Sequence, residues 1–130
     1  MNTIRSATVT PSEYPQRIEI RAHALSADDD ATDSAPSPHD LFDASLAACK
    51  ALTAHWYAKR HAIPLERVET TIERDDANER LGRYHLRVRV TFHGTALTDE
   101  HRATLHRAIA ACPIHKLMTT TDVEIEMLAT

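Results

Sequence analysis

Ser37-Pro38-His39-Asp40-Leu41-Phe42-Asp43-Ala44-Ser45-Leu46-Ala47-Ala48-Cys49 opens the longest helical signal in the chain. Serine at an N-cap accepts a free backbone amide, proline suits the first helical position, and an acid three residues after the cap reaches back to close a capping box. Ser37, Pro38 and Asp40 occupy those three places, and Asp43 adds negative charge near the helix N-terminus, where the dipole favours it. Leu41, Ser45, Ala48, Leu52 and Trp56 then recur at helical spacing, and small residues dominate from Ala44 to Ala54. Such a helix is apolar nearly all round and can be approached closely on several sides, which marks it for burial. It should end near His61, ahead of Ile63-Pro64.

Around this helix the other elements read mostly as one-sided strands. Thr3 to Val9 and Arg17 to Leu25 are two short strands flanking the proline-bearing turn Pro11-Ser12-Glu13-Tyr14-Pro15. The run from Ser26 to Ser37, with Asp28-Asp29-Asp30 and Asp33, reads as a surface loop carrying solvated charge. Val68 to Glu73 is a further strand, followed by the polar turn Asp75-Asp76-Ala77-Asn78-Glu79. The clearest strand is Gly82 to Phe92: Tyr84, Leu86, Val88, Val90 and Phe92 share one face, and His85, Arg87, Arg89 and Thr91 the other. Thr98 caps a second helix with Asp99 and Glu100 in its first turn, and Leu105, Ile109 and Cys112 form its buried stripe. Pro113 stops that helix and starts a short third one to Met118; Val123-Glu124-Ile125-Glu126-Met127 alternates as a closing strand. The order predicts an α+β class with antiparallel pairing, in one domain over residues 1–130. A single sheet covers only one side of the long helix, so a second subunit is expected to cover the other.

Composition excludes several functions. The chain has 130 residues, 42% hydrophobic and 26% charged, enough to bury a core unaided. A formal charge of −4 with scattered Lys and Arg argues against nucleic acid as the partner. With 2 glycines there is no Gly-rich phosphate cradle. No stretch reaches the roughly 18 consecutive apolar residues of a membrane span. The first residues, Met1 to Ser6, lack the apolar core of a signal peptide, so the cytoplasm is the expected location. There cysteines are more often catalytic or metal-binding than structural.

Two cysteines are present, Cys49 and Cys112. Cys49 lies about three turns into its helix, too deep for the dipole to lower its pKa, so an activating cation must come from elsewhere; Arg17 and Arg21 are the candidates. A buried core thiol is the competing reading. Cys112 closes one helix and stands at the start of the next, where free amides favour a thiolate, and a core role is equally open to it. His39, His115 and Lys116 flank the two thiols. Nine histidines raise the question of zinc, yet CxxC, HxxxH and HExxH spacings are all missing, so neither metal nor cofactor is expected. A serine hydrolase has no Gly-flanked elbow here.

Three blocks in order resemble the OsmC/Ohr family of thiol-dependent peroxidases. They are Ala35-Pro36-Ser37-Pro38-His39-Asp40-Leu41-Phe42 leading to Cys49, then Tyr57-Ala58-Lys59-Arg60, then Leu97-Thr98-Asp99-Glu100 leading to Cys112-Pro113-Ile114-His115-Lys116. The resemblance covers the chain from about Arg17 onward. It implies an OsmC-like fold, with antiparallel sheets wrapped around long central helices in an intertwined homodimer. It assigns Cys49 the attack on peroxide and Cys112 its resolution as a disulfide, with an external thiol or dithiol as reductant. It also implies an arginine and an acid at the thiolate, for which Arg17 and Asp40 are the nearest matches. His39, Phe42 and Leu46 are then candidate substrate contacts, and the apolar surroundings suit organic hydroperoxides. Where the Ohr type has glutamate after the motif proline, this chain has His39, with Asp40 one position later; in this it is closer to the general OsmC-like branch. A non-catalytic OsmC-like dimer, acting as redox sensor or small-ligand binder, is the alternative. A hot-dog thioesterase would leave Cys112-Pro113 unexplained.

Overall fold

Eight strands and helices, and one short 3₁₀ turn at Glu79–Leu81, make up the regular structure of the described part of the chain, residues 2–129 of a computed structural model. In chain order they are β1 (Ile4–Thr8), β2 (Gln16–Ile20), β3 (His23–Ala27), α1 (Pro38–Arg60), β4 (Arg67–Asp75), β5 (His85–His93), α2 (Asp99–Ile109) and α3 (Pro113–Thr119), eight strands and helices besides that turn. The class is α+β, and all strand pairing is antiparallel. The backbone falls into two units, one ending at Asp43 and the other beginning at Ala44.

The first unit is the sheet β1–β2–β3 followed by a loop and the opening turns of α1. The strand expected over Arg17 to Leu25 is in fact two. Ile20 pairs with His23 across a two-residue turn, and Arg21 adopts φ 53° to make it. Neither glycine nor asparagine marks that turn, so the alternation runs through it unbroken in the sequence. The acidic loop also differs from expectation at one residue. Asp28 is buried and accepts hydrogen bonds from the Asp29 amide (2.8 Å), the Ser34 amide (2.9 Å) and the Ser34 hydroxyl (2.6 Å), so it fastens the loop. These bonds, those from Ser34 first, hold its carboxyl below the usual aspartate range. The Asp28 amide in turn donates to the Pro36 carbonyl at 3.1 Å, just ahead of α1. The capping box forms as expected: the Asp40 amide donates to Ser37 Oγ at 3.1 Å, and the Ser37 amide donates to Asp40 Oδ2 at 3.0 Å.

In the second unit α1 and α2 pack on one face of the β4–β5 hairpin. Ala54 and Ala58 of α1 meet Phe92 of β5 and Leu105 and Ile109 of α2, and Val68, Val90 and Leu97 close around them. The face Tyr84 to Phe92 turns inward as its alternation requires. Gly94 serves a close approach, because a Cβ there would stand 2.5 Å from the Pro64 carbonyl oxygen. Thr98 caps α2 in a box completed by His101. Cys112 is the N-cap of α3. No helix among the described residues is long and apolar enough to cross a membrane.

Two further expectations meet a different outcome. Residues 121–129 form no strand in the single chain, although Val123, Ile125 and Met127 alternate and stand exposed. An alternating segment needs a neighbouring strand to pair with, and this one pairs with none among the described residues. The long helix, expected to be buried nearly all round, buries one stripe only: Asp43, then Leu46, Lys50, Ala54 and Ala58, three and then four apart. Leu52 and Trp56, 69% and 59% exposed, face outward.

Truncating Leu105, which is fully buried, should cost about 3 kcal/mol in Leu105→Ala, because a core cavity remains. Ala62, just past α1, holds φ 52°, the left-handed geometry that glycine adopts without strain, so Ala62→Gly should stabilise by about 1 kcal/mol. Urea unfolding of the two variants beside the parent chain checks both signs.

Candidate active site

Cys49 lies on α1, half-buried, at the i+3 position from Leu46 and one residue off the buried stripe. This offset turns its sulfur from the core toward the start of α3. There the Ile114 amide donates to Cys49 Sγ at 3.5 Å, and Thr53 Oγ1, one helical turn on, lies 4.0 Å from the sulfur. The thiol opens on a cavity of about 580 Å³ walled by Ala48, Leu52 and Trp56 of α1 and by Pro113 and Ile114 of α3, with Ser45 and Thr53 as its hydroxyls. The lining is largely apolar, and the thiol is its one redox-active group. Arg60 stacks over the Trp56 ring, 4.9 Å from the centroid, and Tyr57 stacks on His61 at 4.1 Å.

Cys112 is buried to 1% exposure, but not as part of the expected α2 stripe: α2 ends at Ile109, and Cys112 lies beyond it in extended backbone as the N-cap of α3. Its turn is the one that touches Cys49, through Pro113 and Ile114. Both cysteines are free thiols. Sequence-distant thiols are thus carried on segments in direct contact, because α2 ends at Ile109 and Pro113 restarts the backbone at once as α3.

The other candidates have contacts of their own. Leu46 is buried in the α1 stripe. Arg17, on β2, pairs with Glu19 at 3.4 Å and is well exposed. Asp40 serves the capping box, and His39 and Phe42 sit at exposed positions in the first turns of α1. Among the described residues no group of three or more His, Cys, Asp or Glu is placed to hold a metal ion.

Lys50 is the residue that sequence reasoning missed. It is buried to 4% exposure in the core stripe, and its Nζ donates to the Ile109 carbonyl (2.7 Å) and the Ala110 carbonyl (3.1 Å) and meets His115 Nδ1 at 2.8 Å. An ammonium has no acceptor, so Nδ1 takes the bond and the imidazole carries its proton on Nε2. Burial, and then the Lys50 charge, lower the His115 pKa from its ordinary value, which keeps that ring neutral. The signal was present: Lys50 is the single charged residue between Ala44 and Ala54, four after Leu46 and four before Ala54.

A profile of OsmC-like proteins matches residues 27–127. No curated protein matches the chain. Among solved structures, an OsmC-like protein from Mycoplasma pneumoniae superposes with a TM-score of 0.74 at 16% identity, covering 92% of this chain and 88% of that one. The organic hydroperoxide resistance protein OhrB of Bacillus subtilis gives 0.63 at 18% identity, over 92% and 91%. An organic hydroperoxide resistance protein OsmC from Legionella pneumophila gives 0.61 at 19% identity, over 92% and 90%. With three-quarters of its length inside the profile and its architecture shared with these structures, the chain belongs to the OsmC family.

Proposed function

We propose that the chain is a thiol-dependent peroxidase that reduces organic hydroperoxides, working as one OsmC-like domain in a homodimer in the reducing cytoplasm. The observation that carries this reading is the Cys49 thiol, set in an apolar cavity and receiving an amide from the turn that bears Cys112. Two structures similar in fold are named as organic hydroperoxide resistance proteins, which agrees with it.

The chemistry balances on the two thiols. The Cys49 thiolate attacks the distal oxygen of R–O–OH, the O–O bond breaks, and RO⁻ leaves as the alcohol after taking a proton. Cys49 becomes a sulfenic acid. The Cys112 sulfur then attacks the Cys49 sulfur, water departs, and a disulfide forms, provided the two Cα atoms come within about 7 Å. An external dithiol restores both thiols by exchange and is itself oxidised. An apolar wall of Leu52, Trp56, Pro113 and Ile114 favours an organic R group over hydrogen peroxide, since only R buries apolar surface there.

The homodimer reading rests on the outward side of α1 and on the C-terminal segment. Leu52, Trp56, Ile125 and Met127 expose more apolar surface than a monomer keeps without purpose. A second chain would cover them and narrow the cavity mouth. The redox-sensor alternative is favoured by one observation: Arg17 pairs with Glu19 and Asp40 with the Ser37 amide, so both expected activating groups have other partners. Sustained turnover with a dithiol reductant separates the two, because a sensor oxidises about once per thiol pair.

Cys49→Ser should abolish cumene hydroperoxide consumption by the purified protein, and undiminished consumption would overturn the peroxidase reading. Intact mass under non-reducing conditions should fall by about 2 Da per chain after one equivalent of peroxide, the loss expected for a disulfide, and not fall in Cys112→Ser. Light scattering should give twice the 14.6 kDa chain mass, and the double variant Trp56→Glu with Ile125→Glu should give the single-chain mass.

A further inference from the structure

A lysine in a helix core stripe is costly unless every one of its donors is met, because desolvating an ammonium costs several kcal/mol. Lys50 meets that requirement: its three acceptors are the Ile109 and Ala110 carbonyls and His115 Nδ1. Two of them are carbonyls at the end of α2, where the helix dipole concentrates negative charge. Their positions along the chain carry the argument. Ile109 and Ala110 lie just before Cys112, and His115 lies just after it, on α3. The ammonium therefore grips both flanks of the α2–α3 junction, and its own backbone neighbour on α1 is Cys49. An uncharged side chain of the same length could fill the space but could not hold two carbonyls and an imidazole together.

We propose that Lys50 is a positioning residue for the thiol pair: it fixes the junction so that Cys112 stays within exchange reach of Cys49, and it takes no part in the bond-breaking steps. The inference rests on the thiol-pair reading above, and its test needs no hydroperoxide. In glutathione buffers the reaction is Cys49–SH + Cys112–SH + GSSG giving the Cys49–Cys112 disulfide + 2 GSH. Its equilibrium constant is the effective concentration of one protein thiol at the other.

The experiment measures that constant by thiol alkylation and mass spectrometry for the parent, Lys50→Met, His115→Leu and Leu105→Ala. Lys50→Met should lower it about tenfold or more, the fold-change carried by losing hydrogen bonds to a charged group. His115→Leu removes one arm of three and should lower it about threefold. Leu105→Ala destabilises the same helix without touching the clamp and should stay within about twofold of the parent. If Lys50→Met matches the parent, or if Leu105→Ala falls as far as Lys50→Met, the clamp is wrong. Should Lys50→Met not fold, His115→Leu decides: a threefold fall supports the clamp and no change overturns it. A parent that forms no intramolecular disulfide at any glutathione ratio overturns both the thiol pair and the clamp. A parent that forms it yet consumes no hydroperoxide overturns the peroxidase reading alone and leaves the clamp standing.

Discussion

Close approach between small side chains is the constraint on which the site depends. Ala54 and Ala58 present almost nothing beyond a Cβ, so α1 can lie near Phe92, Leu105 and Ile109 with no large side chain holding them apart. That proximity brings the end of α2 under α1, and the chain leaves α2 directly into α3. Cys49 meets Ile114 because the backbone of two helices and the restart at Pro113 leave nowhere else for that turn to go. The redox geometry is thus a by-product of packing a few turns away, and a larger residue at Ala54 would disturb it without touching either sulfur.

Much of this was legible before any coordinates. The Ser37–Asp40 box, the Thr98 cap, the alternation from Tyr84 to Phe92 and the buried pair Leu105 and Ile109 each rest on local periodicity or on side-chain chemistry acting within a turn. Such features form the same way wherever the segment lands, so residue spacing reports them faithfully. The motif blocks around Cys49 and Cys112 supplied the family for the same reason.

What escaped depended on partners distant in the chain. Arg21 turns the chain between β2 and β3 with no glycine to announce it, and only cross-strand pairing reveals the break. Asp28 looked like one of three solvated carboxylates until Ser34 was found bonded to it. Lys50 escaped because a charge in a core stripe makes sense only when the carbonyls and imidazole that receive it are known. The alternation of Val123, Ile125 and Met127 was read correctly as a pattern, but a strand also needs an edge to join.

The Asp28 knot has a consequence for how the chain meets acid. Hydrogen bonds from Ser34 favour the ionised carboxylate, so its contribution to stability is complete above the ordinary aspartate pKa and vanishes only as acidity passes the lowered one. The loop leading to Ser37 therefore keeps its fastening through mild acidification, while carboxylates without such donors are already taking up protons. As pH falls through the ordinary aspartate range, the latch ahead of α1 outlasts carboxylates that lack such donors.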